Sequence, residues 1–337
     1  MLKPILEYMP DGRLDERLIR GAASGMSESV PSDGGFLIQQ DFTSELLKRT
    51  YETGIIASRC RKLPISTNAN GMKINAIDEN SRATGSRLGG IRAYWAAEAE
   101  TVAASKPKFR QMELNLQKLI GLCYATDELL ADQATLESVL MDGFAEEFGF
   151  LVDDAVIRGT GVGMPLGILN SNAVVTVPKE NAQAARSLTA ENIINMWARL
   201  WARSQPNAVW LINQDIIPEL YQLKIPIGTA GQLLYMPANG LSEMPYGTLF
   251  GRPVIPVEYC ETLGTKGDII LADFGQYVIA DKGGVTSAVS IHVRFIYDEQ
   301  CFRFTYRVSG QSFWNAPLSP YRGTNTISPF VVLETRV

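Results

Sequence analysis

The spacing of apolar residues predicts one dominant helix. Leu136, Leu140, Phe144, Phe148, Val152 and Val156 recur every four positions, and Val139, Leu151 and Ala155 widen the stripe. Thr135 is placed to cap the start. Glu137 suits the positive end of the helix dipole, and Arg158-Gly159 suits the other end. At about 1.5 Å per residue the helix over 135–158 is roughly 36 Å long, against ~11–12 residues for an average globular helix. It needs a long surface to lie on.

Ahead of this helix the patterns are shorter. Residues 36–53 read as an amphipathic helix ending before Gly54. Residues 61–77 read as strand, turn at 68–71, then strand, with Met72, Ile74 and Ala76 alternating with Lys73 and Asn75. Residues 78–109 lack a hydrophobic period, and Gly85, Gly89 and Gly90 break any helix. So long a stretch inside a compact domain is uncommon, and the pattern suits a two-stranded ribbon projecting from the body. Phe109, Leu114, Leu116 and Leu119 return to a strand pattern. Residues 1–35, with turn chemistry at 11–12 and 31–35 and a polar, Gly/Ser-rich stretch between, read as an arm without a core of its own.

Beyond the long helix lies the run Gly159-Thr-Gly-Val-Gly-Met-Pro-Leu-Gly167. It follows a helix rather than a strand and lacks a closing Gly-Lys-Ser/Thr, so it reads as a helix-terminating turn and not as a phosphate cradle. From Thr189 the pattern becomes α/β. A helix over 189–204 has Thr189 as cap and Ile193, Met196, Trp197 and Leu200 inside. A buried strand follows at 208–212, then a helix at 214–223 with Pro218 as a local fault. Short strands are predicted at 253–257, 269–272 and 276–280. Residues 285–308 hold two longer strands around a polar turn at 297–300. The class is α+β.

Composition narrows function mainly by exclusion. The 337 residues are 46% hydrophobic and 20% charged, enough for two or three packed units. No run of 18 apolar residues predicts a membrane helix, and the first ten residues lack a secretory pattern. The net charge of −5 argues against a surface that grips nucleic acid, though not against a wall that encloses it. Cys60, Cys123, Cys260 and Cys301 are far apart, with no CxxC, and read as reduced, mostly buried thiols. The single histidine, His292, lies in an alternating strand run, which removes most histidine-based catalysis and His-rich metal sites. The adjacent pairs Asp153-Asp154 and Glu146-Glu147 point about 100° apart on a helix, so neither pair shares a site easily; both read as solvated or interface charges. No GxSxG or HExxH occurs. No catalytic residue, metal ligand or cofactor is assigned.

Charge layout is more informative. Residues 82–110 carry six bases (Arg82, Arg87, Arg92, Lys106, Lys108, Arg110) against Glu98 and Glu100. The helix 135–158 carries six acids (Glu137, Asp142, Glu146, Glu147, Asp153, Asp154) against Arg158. Two independently solvated surfaces account for this. So does a basic ribbon of one subunit lying near the acidic helix of a neighbour, an arrangement that fixes register more than it adds affinity.

Several stretches resemble a known family. Ala93-Tyr-Trp-Ala-Ala-Glu98 followed by Ser105-Lys-Pro-Lys-Phe109 resembles the projecting loop of tailed-phage major capsid proteins of the Hong Kong 97 type. Leu116-Gln-Lys-Leu119, Thr126-Asp-Glu-Leu-Leu-Ala-Asp132 and the glycine turn through Met164-Pro-Leu-Gly-Ile-Leu169 are similar to the elements that follow it. Asn207-Ala-Val-Trp-Leu-Ile-Asn213 and Leu249-Phe-Gly-Arg-Pro-Val-Ile-Pro256 resemble the axial-domain strands, and Asp298-Glu-Gln-Cys-Phe-Arg303 the closing peripheral strands. The matches run in order from about residue 30 to 315, and that order is the signal.

The resemblance implies an N-terminal arm (1–35), a peripheral domain begun by 36–77, a projecting loop (78–109) and a peripheral segment with the spine helix (110–170). An axial domain (171–283) and closing strands with the tail (284–337) complete it. It implies hexamers and pentamers closing an icosahedral shell around double-stranded DNA, without sequence-specific binding and away from membranes. Assembly would take place in the host cytoplasm, with portal and scaffolding or decoration proteins as partners. The assembly residues it marks are Arg82, Arg87, Arg92, Tyr94, Trp95, Glu98, Lys106, Glu146, Glu147, Asp153, Asp154, Asp298 and Arg303. Relatives often carry a scaffolding segment of about a hundred residues ahead of the arm; here either it was removed or a separate scaffolding protein serves, and the start at Met1 favours the second. The loop tip offers arginines where cross-linking relatives need a lysine, so no ladder of covalent multimers is expected on a denaturing gel. An encapsulin-type nanocompartment shares the fold. A soluble α/β enzyme of unrecognised type is the third reading, and it predicts a small discrete oligomer.

Overall fold

A computed structural model describes residues 54–66, 68–126, 136–225, 232–233 and 247–336. The expected arm, the helix over 36–53, the motif at 127–132 and the Thr135 cap lie outside the described residues. In chain order the elements are β1 (Arg61–Pro64), β2 (Gly71–Ile77), β3 (Phe109–Asn115), β4 (Gln117–Thr126), α1 (Leu136–Arg158), β5 (Val175–Val177), α2 (Ala190–Arg199), β6 (Val209–Ile212), α3 (Ile217–Gln222), β7 (Lys224–Ile225), β8 (Gln232–Leu233), β9 (Thr248–Leu249), β10 (Arg252–Pro256), β11 (Ile269–Ala272), β12 (Tyr277–Asp281), β13 (Thr286–Arg294), β14 (Glu299–Ser312) and β15 (Phe330–Leu333). The chain divides into two units, and β4, α1 and β14 contribute residues to both.

The smaller unit includes Leu119–Phe148 and Gly284–Tyr306. Here β14 pairs with β4 and, antiparallel, with β13, in the register Val289↔Phe302. The first half of α1 packs on these strands: the Phe144 ring stacks on Phe304 with centroids 4.6 Å apart. That approach requires Gly121 on β4, since a Cβ there would lie 2.6 Å from the Phe144 ring. The β13–β14 connection runs over 295–298, just ahead of the turn expected at 297–300, with Asp298 in the left-handed region at φ 58°, a conformation Asp tolerates better than most residues.

The larger unit holds a six-stranded sheet in the order β5-β15-β11-β6-β10-β9. Its central strands, Val209–Ile212, Ile269–Ala272 and Phe330–Leu333, are buried at every position. Continuous apolar runs of this kind belong to strands covered on both faces. Ile193 and Met196 of α2 join Trp210, Ile216 and Leu220 in the core. Thr189 caps α2, its hydroxyl accepting from the Asn192 N–H while the Asn192 side chain accepts from the Thr189 N–H. This is the reciprocal capping arrangement.

Several expectations need correction. The helix predicted to Ser204 stops at Arg199, because Leu200 bridges Ser328 and the Trp201 N–H bonds the Ser328 carbonyl. Pro218 is no fault: it occupies the first turn of α3, where its missing N–H has no partner to lose. Tyr277–Asp281, placed within 171–283, pairs with β1 and with the end of β14. The tail, grouped with the closing strands, supplies β15 between β11 and β5 of the six-stranded sheet. The ribbon strands flank 78–108 rather than occupying it. β2 and β3 pair from Gly71↔Asn115 to Ile77↔Phe109, because the alternating apolar positions lie there. Met112 and Leu114 from this hairpin pack with Ile65, Val278 and Ala280.

The glycine run closes α1 as expected. Gly159 N–H bonds the Ala155 carbonyl, Gly167 N–H bonds the Gly159 carbonyl and Leu166 N–H bonds the Gly310 carbonyl. These donors are consumed inside the fold and present no anion cradle. A Cβ on Gly159 would meet the Pro165 carbonyl oxygen at 2.0 Å, so only glycine fits that position.

Candidate assembly interface

The segment between β2 and β3 belongs to the larger unit and has a fixed base and a bare tip. At the base, Asp78 N–H bonds the Lys108 carbonyl and Lys108 N–H bonds the Gly89 carbonyl. Arg82 N–H reaches the Ser319 carbonyl at 2.8 Å, and the Arg82 side chain pairs with Glu79 at 2.5 Å. Further out, every residue from Ile91 to Ala104 is exposed. Tyr94 retains 47% of its accessible surface and Trp95 retains 105%. A tryptophan carries the largest apolar payload of any side chain, and its full exposure marks an unfilled contact. Arg87, Arg92, Glu98 and Lys106 of the same segment are exposed as well.

The acidic residues of α1 divide. Glu146 and Glu147 are exposed. Asp154 lies 3.7 Å from Arg158, which also pairs with Glu261 at 2.8 Å. Asp153 is a correction: it is only 1% exposed, and its carboxylate accepts from the Ile56 N–H (3.1 Å), the Ala57 N–H (2.8 Å) and the Tyr259 hydroxyl (3.2 Å). Burial pushes this carboxyl upward, against the pull of those three donors. Asp153 fastens α1 to the 54–57 turn of its own subunit and offers nothing to a neighbour. Asp298 and Arg303, in the smaller unit, are exposed.

Two surfaces escaped the sequence reading. In the smaller unit, Ile120 and Leu122 of β4, Val289, Ile291 and Val293 of β13, and Ile296 and Tyr297 of the following turn are all exposed. Among the described residues β13 ends the strand order on its side, and its apolar positions are exposed. Edges like this are blunted in monomers and covered in assemblies. The available signal was the absence of any charge between Val285 and Ile291. In the larger unit, a cleft of about 470 Å³ is lined by Trp201, Trp314 and Phe313 with Arg82, Arg110 and Arg203. Distant segments build it, so no local pattern announces it.

Among the described residues no group of three or more His, Cys, Asp or Glu side chains is placed to hold a metal, and no helix is long and apolar enough to cross a membrane. The described cysteines are free, with Cys60, Cys260 and Cys301 buried.

A projecting hairpin, a long helix laid on antiparallel strands and an α/β unit together make the α+β fold of Hong Kong 97-type capsid proteins. The chain belongs to the phage capsid family, whose model matches residues 34–322; it is a phage capsid protein, of a structural family. The capsid polyprotein of Pseudomonas phage PAJU2 is 28% identical over 205 residues, which is 58% of this chain and 29% of that protein. The chain therefore spans less than a third of that relative's length. Among solved structures, the capsid of a native GTA particle matches with a TM-score of 0.66 at 19% identity, covering 93% of this chain and 100% of that one. A chain of Microbacterium phage Oxtober96 matches at 0.57 and 13%, covering 92% and 99%. The encapsulin of the holo-SrpI complex from Synechococcus elongatus PCC 7942 matches at 0.53 and 11%, covering 90% and 94%.

Proposed function

We propose that this protein assembles with copies of itself, as hexamers and pentamers, into an icosahedral shell that encloses double-stranded phage DNA in the virion. The observation that carries the reading is the exposed apolar surface at two places: the bare tip around Trp95 and the open edge strand Thr286–Arg294. Neither is covered by the described residues of its unit, and burial against sister chains removes both liabilities at once. In this arrangement the region 171–283, joined by the tail strand β15, is the axial part that meets its copies at the capsomer centre. The projecting loop overlaps a neighbour, where Arg87, Arg92 and Lys106 face Glu146 and Glu147. Asp298 and Arg303 border the same contacts. The acidic net charge of −5 suits a wall that must release its contents. Shells form in the host cytoplasm around a portal, with scaffolding or decoration proteins as further partners.

Negative-stain imaging of purified protein tests the reading. Closed particles tens of nanometres wide are expected; a small, discrete oligomer at every concentration would overturn it. The encapsulin alternative shares the particle and differs in the cargo. Shells recovered from infected cells with nuclease-protected double-stranded DNA support the capsid reading, and a packaged protein cargo without DNA supports the other.

A further inference from the structure

The cleft beside Trp201 and Trp314 has the composition of a binding seat. The two indole rings meet edge to face, 5.0 Å between centroids, and the Trp314 Nε1–H is held by the Gln276 side chain at 3.2 Å. The arginines around them outnumber the carboxylates. Arg82 is matched by Glu79, whereas Arg110, with the charge of Asp78 nearby, and Arg203 line the cleft without a salt bridge among the described residues. Arg110 gives one N–H to the Phe313 carbonyl, while its buried Nε has no partner among the described residues. A buried, charged donor left unmatched is costly, so such a group normally has an acceptor.

The tip of the projecting loop has the complementary composition. Residues 94–100 read Tyr-Trp-Ala-Ala-Glu-Ala-Glu, with two carboxylates and no base. Glu100 is occupied within the tip, accepting from the Ala97 N–H at 2.9 Å, and Ala99 turns the chain at φ 64°. Glu98 and the Trp95 ring stay exposed.

We propose that the seat for the loop tip is this cleft on a second copy of the chain: Trp95 enters beside Trp201 and Trp314, and the Glu98 carboxylate faces Arg203 and Arg110. The inference rests on the shell reading and names which surface of the neighbour receives the loop. Aromatic side chains in desolvated pockets dominate interface energetics, and a matched charge pair at their border fixes orientation. Arg87 and Arg92, nearer the loop base, remain free to face acidic residues elsewhere.

The test uses full-length protein and reads the fraction that sediments as shells, with unassembled subunits checked for unchanged thermal unfolding. Trp95→Ala is expected to lower assembly at least tenfold, while Trp95→Phe retains most of it. Glu98→Arg and Arg203→Glu each lower assembly, and the double variant restores it. A Glu98→Cys, Arg203→Cys protein, assembled and then oxidised, gives a ladder of multimers on a non-reducing gel; neither single variant does. If wild-type shells form and the two charge reversals assemble normally, or the double variant shows no recovery, the seat is wrong while the shell reading stands. A disulfide that leaves only monomers also overturns the seat. If wild-type protein never forms shells, both ideas fall.

Discussion

Arg336 is 1% exposed and its partner Asp268 is fully buried, both in the larger unit. The guanidinium donates to the Asp268 carboxylate, to the Ser187 carbonyl at 2.8 Å and to the Glu334 carbonyl at 3.1 Å. The carboxylate also accepts from the Gly264 N–H at 2.9 Å and the Ile269 N–H at 2.8 Å. Replacing Arg336 with Met keeps the side-chain length and removes the charge. Asp268 is then an unpaired buried carboxylate with two backbone donors, and Ser187 and Glu334 lose theirs. Breaking a buried pair from one side costs about 3–5 kcal/mol. For a domain of about 150–250 residues, where each kcal/mol moves Tm by about 2–4 °C, the expected drop is about 6–20 °C. Removing both charges, with Asp268→Asn and Arg336→Met together, recovers much of the loss, since the penalty belongs to the orphaned charge. Calorimetry on unassembled protein measures it free of shell contacts. A single variant within a degree of wild type, or a double variant no better than the single, would refute the account.

Two further perturbations follow from local geometry. Burial raises the Asp153 carboxyl, so the native unit holds this proton more tightly than the unfolded chain does. Its stabilising contribution is complete below the unfolded pKa and is lost as pH rises from about 4 through the folded value. The stability advantage of wild type over Asp153→Asn should therefore shrink with rising pH in urea titrations, and an advantage that grows would show that the three donors outweigh burial. Gly121→Ala places a methyl 2.6 Å from the Phe144 ring; overpacking of this kind costs about 1–3 kcal/mol, read as a lower urea midpoint, and an unchanged midpoint would mean the ring moves freely.

The elements legible in sequence are those whose signal is local. α1 and the β13–β14 pair carry their period within themselves, and Thr189 with Asn192 announces a helix start. What the chain withholds is non-local pairing. Phe-Val-Val-Leu at 330–333 forms a buried strand that the sequence reading left in the tail, and nothing in those four residues names β11 and β5 as neighbours. Asp153 was misread because neighbouring helix positions were judged only by their mutual angle. Ile157, one turn further on and fully buried, was the available hint that this face points inward. The candidate interface divides in the same way. Trp95 and Glu98 stand out in a charged, patternless loop, whereas the cleft proposed to receive them draws on residues from Asn75 to Leu318.

The two kinds of surface offered for assembly respond to salt in opposite senses, and that separates their contributions. The proposed contacts of Glu98 with Arg203, and of the basic loop with Glu146 and Glu147, involve exposed groups screened over about 10 Å at 0.1 M salt. The edge strand with Val289, Ile291 and Val293, and the Trp95 ring, are apolar, and their burial is strengthened by sulfate, an ion excluded from protein surfaces. Assembly should slow as sodium chloride rises from low to physiological concentration, because charge pairs set register and encounter rate. At matched ionic strength sodium sulfate should restore yield more than rate, since it acts on the buried apolar area. Light scattering followed through assembly reports both quantities. A rate indifferent to chloride removes the charged contacts from the account, and a yield indifferent to sulfate removes the apolar ones.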